Sequence, residues 1–401
     1  MENPTNNTNT ENTQADPSEL NIVDAQIGEH QKKRRRRSQS KRKSHRKHRS
    51  SVKSNGKKKM KLWKKLLIAF GCIVLSLALL TAGAFVYLRS SGKDQLSQSS
   101  YTITAPKNSD VKLDDGGNTV KYKGKTYKYK KDVVNILFMG VDRESDQENR
   151  TEIGNKYNAD VIIVMSIDPK NNTATLVNVP RDIITDVSVY SKTGGFTGIE
   201  KLPIAESYAY GKSEQECCLN TLDSVRRIFY YIPINAYLSM EIDGIPVVND
   251  EVGGIDVKSP EDVYYGKKLV FKKGEKYHLE GKMANDFVRL RNQETADANL
   301  RRNERQKIYL TELMKKMISH SKSDITAPVK LYRAAEDYCC TNITINGITY
   351  LATELMGKGQ IKTENKTIPV DVKQVENHAE NYIREDEFYE QFLSVFYDEV
   401  N

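Results

Sequence analysis

The sequence predicts an α/β protein, an α-β-α sandwich around a mixed central sheet, preceded by a disordered basic tail and one transmembrane helix. Three observations carry that prediction. Residues 31–65 hold 19 Lys or Arg and no acidic residue. Residues 66–88, "LLIAFGCIVLSLALLTAGAFVYL", run for 23 positions without a charge. From Val133 onward, continuous apolar runs alternate with segments of helical period, the pattern of a sheet covered on both faces.

Residues 1–65 are Asn/Thr-rich and then Lys/Arg/Ser-rich, with too few large apolar side chains to bury a core, so a disordered tail is expected. The net charge of +9 resides there, because acidic residues outnumber basic ones in the rest of the chain. A basic run can bind nucleic acid, but one that abuts an apolar span reads as a cytoplasmic membrane flank. With no DNA-binding motif beside it, no nucleic-acid partner is expected.

At about 1.5 Å per residue, the segment 66–88 is long enough for a hydrocarbon core of about 30 Å. Ala82-Gly83-Ala84 resembles a signal-peptide cleavage site. The apolar stretch continues past it, so a retained anchor is expected. The basic flank predicts an inside N-terminus and places residues 89–401 outside the cell.

Residues 89–118 include "SSGKDQLSQSS" and read as a flexible extracellular stalk. "VKYKGKTYKYKK" alternates around Gly124 as a β-hairpin does. "VVNILFMGV", "DVIIVMSID" and "TATLVNV" suit buried strands. "SEQECCLNTLDSVRRIFYYI" opens on Ser213 with Glu216 three residues on, a capping box. A strand "NAYLSMEI", a helix "DGIPVVNDEV", a Gly253-Gly254 turn and helices near 281–291 and 300–320 follow. "NHAENYIREDEFYEQFLSVFYDEV" reads as an amphipathic closing helix. Five cysteines include two dipeptides, Cys217-Cys218 and Cys339-Cys340, and an oxidising exterior allows a disulfide between them. Neither dipeptide has metal-site spacing, and the histidines are scattered, which argues against zinc and Ser-His-Asp chemistry.

Acids stand at the ends of the first two strands, Asp142 after one and Asp160 opening the other. Two carboxylates at strand ends can hold Mg²⁺ and leave positions for phosphate oxygens. Arg181 follows the third strand. Five more arginines, Arg289, Arg291, Arg301, Arg302 and Arg305, fall within seventeen positions. Guanidinium is the fork that binds phosphate bidentately. A carboxylate pair with a ring of arginines suits a diphosphate ester, whose reactions need charge neutralisation more than protein nucleophiles.

Six ordered blocks, "NILFMGVDRE", "NADVIIVMSIDPKNNTATLVNVPRDI", "KLPIAESYAYG", "IDGIPVVNDEVGGIDV", "LEGKMANDFVRLR" and "LRRNERQ", resemble the signatures of the LytR-CpsA-Psr family over about residues 120–320. The resemblance implies an Mg²⁺-dependent, membrane-anchored phosphotransferase, its extracellular catalytic domain at 119–401. Such an enzyme moves a glycopolymer such as teichoic acid or capsule from a polyprenyl-diphosphate carrier to peptidoglycan. By motif, Asp142 and Asp160 match the metal-associated acids, with Asp142 either a ligand or the base. Arg143, Arg181, Arg289, Arg291, Arg302, Arg305 and Gln306 match the diphosphate-binding set, with Arg181, Arg302 and Arg305 catalytic. Asn158 stands where the family has an arginine, and Arg301 is placed to compensate. Segments 214–238 and 300–318 are candidates to line a tunnel for the isoprenoid tail. The alternatives are hydrolysis of a polyprenyl diphosphate and a non-catalytic wall-binding or regulatory scaffold.

Overall fold

The computed structural model describes residues 62–97, 101–106, 110–142, 153, 157–290, 298–324, 326–356, 359, 361–375 and 378–400. Arg143 and Arg291, and residues 1–61 of the tail expected at 1–65, lie outside them, while residues 62–65 of that tail already belong to a helix. Helix α1 (Leu62–Ser97) is long and apolar enough to cross a membrane. The side chains of Leu66, Leu67, Phe70, Ile73, Leu77 and Leu80 lie exposed. Residues 89–97, expected as a flexible stalk, are instead the last turns of this helix.

Strands β1 (Lys112–Asp114), β2 (Thr119–Tyr122) and β3 (Lys125–Tyr129) form a meander whose β2–β3 turn is Lys123-Gly124. Next come β4 (Val134–Val141), β5 (Ala159–Asp168) and β6 (Thr173–Asn178), then an antiparallel hairpin, β7 (Ile184–Tyr190) with β8 (Phe196–Pro203). Helix α2 (Glu214–Ile228) starts at Ser213, whose hydroxyl accepts the Glu216 N–H at 3.2 Å as the capping pattern requires. Strand β9 (Ala236–Glu241) and helix α3 (Gly244–Glu251) lead into four short strands, β10 (Ile255–Lys258), β11 (Val263–Tyr265), β12 (Lys268–Phe271) and β13 (Lys276–Leu279). Helices α4 (Lys282–Arg289), α5 (Ala298–Ser323) and α6 (Ala327–Ala335), strand β14 (Cys339–Thr341) and helix α7 (Ile345–Met356) follow.

The chain closes with β15 (Lys362–Thr367), the hairpin β16 (Val370–Val375) and β17 (His378–Ile383), helix α8 (Glu385–Phe396) and β18 (Tyr397–Val400). The expected closing helix is thus shorter than its pattern, with a strand on either side. Residues 378–383 pair with β16, and 397–400 pair with β3. The first end is decided by a hairpin with the preceding strand and the second by a partner in β3 near the start of the domain, and helical periodicity registers neither.

The central sheet runs β14-β9-β4-β5-β6-β15 and is mixed, as predicted. β4–β9 and β6–β15 are parallel and the other pairs antiparallel. Strand alternation divides its two faces. Leu137, Met139, Val141, Ile162 and Val164 share a core with the buried side chains of α2 and α8. Ile136, Phe138, Gly140, Met165 and Ile167 point the other way, toward α5, α6 and α7.

Candidate active site

That second face is not filled. Between it and α5–α7 lies a cavity of about 350 Å³, lined almost wholly by Ile, Leu, Met, Val and aromatic side chains. Its length follows from its walls. From Ile136 to Asp142 along β4 is about 20 Å at about 3.3 Å per residue. From Arg302 to Ile318 along α5 is about 24 Å at about 1.5 Å per residue. A cavity of this length and apolar lining has the shape of a hydrocarbon chain.

One end is polar. Asp142, Asp160, Arg289, Arg302 and Gln306 line the cavity where β4 ends and β5 begins. Backbone register brings the two acids together. Gly140 pairs with Val161 and Val141 with Ala159, so Asp160 is the extra residue of a β-bulge, left out of the ladder. A bulge re-aims its side chain, which is how a strand residue comes to face a strand end. Asp160 accepts a hydrogen bond from Arg181 Nη1 and lies 3.9 Å from Arg302 Nη1. Asp142 stands 3.5 Å from Arg289 Nη2. Exposure differs along this group: Arg302 is 5% accessible whereas Asp142 and Arg289 are 42% and 44%, so the latter pair faces the mouth.

Arg305, expected among the diphosphate ligands, is placed otherwise. Its guanidinium is buried and donates through Nε to Glu261 Oε1 at 2.8 Å, and through its Nη atoms to the carbonyls of Phe287 and Leu290. It fastens the end of α4, which carries Arg289, to α5. Gln306 acts beside it, donating to the Val288 carbonyl at 3.2 Å. Arg301 reaches toward Glu261 as well, at 3.9 Å, rather than lining the cavity as a substitute for the arginine missing at Asn158. Glu261 was not found from the sequence, since it is an unremarkable acid in "SPEDV", 44 residues from its partner.

Of the two segments expected to line a tunnel, 300–318 does so through Tyr309, Leu310, Leu313, Met314 and Met317. Segment 214–238 contributes only Leu238, because α2 packs on the opposite face of the sheet. A second concavity of about 410 Å³, lined by Asp256, Glu312, Lys315 and Lys322, lies on the α5 surface and contains none of these arginines.

The cysteines are thiols, and the expected disulfide is absent. The two dipeptides are still neighbours. Cys218 hydrogen-bonds Cys340, and that bond, with burial, holds its thiol far above the usual range. Burial pushes Cys339 up to about 11.

An α/β domain with a long apolar cavity, ending in carboxylates and guanidiniums and joined to a membrane-length helix, defines a class suited to lipids with anionic heads. The chain belongs to the LytR_cpsA_psr family, whose model matches residues 89–394. It is 34% identical over 235 residues to the polyisoprenyl-teichoic acid–peptidoglycan teichoic acid transferase TagV of Bacillus subtilis, a match covering 57% of this chain and 54% of TagV. With TagU of the same organism it shares 29% over 228 residues, 57% of this chain and 66% of TagU. The match therefore spans about half to two thirds of these curated relatives. The crystal structure of B. subtilis TagV superimposes with a TM-score of 0.51 at 27% identity, covering 66% of this chain and 96% of that one. Protein gbs0355 from Streptococcus agalactiae shares the fold, at TM-score 0.52 and 19% identity, over 66% and 86%.

Proposed function

We propose that this protein transfers a glycopolymer of the teichoic acid type from a polyprenyl-diphosphate carrier to peptidoglycan at the outer face of the membrane. The observation that carries this reading is the cavity: apolar for about 20 Å and polar at one end, it matches a lipid whose head is a diphosphate. The basic tail sets the N-terminus inside and the domain outside.

In the reaction, a sugar hydroxyl of peptidoglycan attacks the phosphorus that bears the glycopolymer. A new P–O bond forms, and the bond to the bridging oxygen breaks. Its electron pair leaves on polyprenyl phosphate, which the apolar cavity retains. Asp142, exposed at the mouth, has one of two roles: it takes the hydroxyl proton, or it holds Mg²⁺ and the proton passes to solvent. Arg289 and Arg302 neutralise the charge that grows on the leaving phosphate, and Arg181 orients Asp160. Arg305 acts at one remove by holding the end of α4.

Mg²⁺ fits the donor set. Among the described residues no group of three or more acidic, thiol or imidazole side chains gathers to cage a metal ion. Two aspartates beside a phosphate site are what Mg²⁺ uses when substrate oxygens complete its shell. Asp142 and Asp160 would hold it, and its chemistry there would be charge neutralisation on the diphosphate.

The test is transfer from a short-chain polyprenyl-diphosphate glycan to peptidoglycan fragments, followed by release of polyprenyl phosphate. Asp142→Ala should abolish it in a folded protein. Release without glycan transfer would assign hydrolysis instead, and no release from the wild type would sink the enzymatic reading.

A further inference from the structure

At the end of the cavity opposite the aspartates, α7, which lines it, packs against the last turns of the membrane-length helix. Arg89 forms an ion pair with Glu354, Ser91 Oγ accepts from Asn346 Nδ2 at 3.1 Å, and Gln95 Nε2 donates to the Asn342 carbonyl at 2.6 Å. Backbones meet at Gly92, where a Cβ would lie 2.0 Å from the Asn346 carbonyl oxygen. Leu96 is 1% exposed and shares one core with Ile136, Ile167 and Leu355, side chains that also line the cavity. Helix α1 therefore reaches the same apolar cluster as the cavity wall.

Helix α7 presents two faces. Asn346, Gly347 and Glu354 face α1, whereas Ile348, Leu351 and Ala352 face the cavity. Asn346 and Glu354 lie about two turns apart on one side, and Ile348, Leu351 and Ala352, spaced by three and four, share another. The apolar run of α1 ends at Leu88, so the junction at 89–96 begins within about one helical turn, about 5 Å, of where hydrocarbon gives way to water. The far end of the cavity is thereby set beside the bilayer, and the polar end stands about 20 Å further along β4.

We propose that the α1–α7 junction is the lipid portal: the carrier's hydrocarbon passes from the outer leaflet past α7 into the cavity, and α1 is the post that holds α7 in register. This rests on the reading of the ligand as a polyprenyl lipid and of α1 as a membrane span. A flexible tether would leave the portal pointing anywhere. A docked helix keeps an apolar route from bilayer to cavity, so the chain never crosses water, where each exposed CH₂ costs about 0.8 kcal/mol.

The test uses full-length protein in phosphatidylcholine vesicles and two glycan donors. One is a long polyprenyl diphosphate embedded in the same vesicles, and the other is a short-chain, water-soluble analogue. Gly92→Val drives a side chain into the Asn346 backbone, and Arg89→Ala is the milder variant, which removes one ion pair and leaves the packing. In both, transfer from the embedded donor should fall, about tenfold or more for Gly92→Val, as happens when a bound geometry shifts by about an ångström. Transfer from the soluble donor should stay within about twofold, since that donor needs no portal. A parallel fall with both donors, or no fall with either, overturns the portal.

Photo-crosslinking of a diazirine-tagged long-chain polyprenyl phosphate in the vesicles gives a readout independent of turnover. Label should reach α7 in the wild type and drop in Gly92→Val. If the wild type transfers nothing yet labels α7 in this way, the portal stands and the transferase reading fails. If transfer proceeds with no label on α7, the reverse holds.

Discussion

Arg305 and Glu261 form a buried ion pair at 2.8 Å, the guanidinium 1% and the carboxylate 8% accessible, 44 residues apart in the chain. The pair joins α5 to the loop after β10, and the other Arg305 donors close onto the carbonyls at the end of α4. Of the arginines that open α5, Arg302 faces the cavity, whereas Arg305 and Arg301 turn toward Glu261.

That division predicts opposite phenotypes. Arg305→Ala strands the Glu261 carboxylate without its partner, and a broken buried pair costs about 3–5 kcal/mol. Urea denaturation should show that loss. Replacing both residues, as Arg305→Met with Glu261→Leu, should restore most of the stability but not the activity, because α4 still loses its anchor. If Arg305→Ala is as stable as wild type, the strut is not one.

Arg302→Ala should do the reverse. Removing one positioned donor to a developing anion costs about 10²–10³ in kcat. Its melting temperature should stay much closer to wild type than that of Arg305→Ala. Arg302→Lys should recover only part of the rate, since an ammonium cannot donate as a fork. Wild-type turnover in Arg302→Ala would remove it from the site.

Chelation should abolish transfer and added Mg²⁺ should restore it. Asp160→Asn should raise the Mg²⁺ concentration needed for half-maximal rate if the proposed metal site is right, since that site would lose one of its two anionic ligands. A rate indifferent to chelator would mean that the arginines neutralise the diphosphate unaided.

Cys339, with its thiol pushed up to about 11, should alkylate slowly. At pH 8 its thiolate fraction is about 0.1%, against roughly a quarter for an ordinary cysteine near 8.5. A raised pKa lowers the thiolate at every pH below it, so labelling by iodoacetamide should quicken steadily toward pH 10. Fast native-state labelling at pH 7.5 would show that the edge strand β14 opens.

Much of this was legible because it is local. Apolar runs 133–141 and 160–168 announce buried strands, Ser213 announces the start of α2, and Asp142 and Asp160 stand at adjacent strand ends. What escaped depends on contacts across the chain. "SSGKDQLS" has the composition of a linker, and its helical form coincides with polar and backbone contacts to α7 that no local pattern encodes. Composition cannot tell a phosphate-facing arginine from a strut, because the same fork serves both. The turning of β5 at Asp160 is a one-residue irregularity in pairing, invisible to a period-two count.

Helix α7 is held against α1 on one flank and lines the cavity on the other, where Leu351 also packs against the core that holds Leu96. Ile348, Leu351 and Ala352 are thus part of the cavity wall. Swaps among apolar side chains of different shape, which a close-packed core resists, are tolerated there. Their bulk instead sets the bore of the cavity, so a few such exchanges would reshape it without touching the residues at the far end.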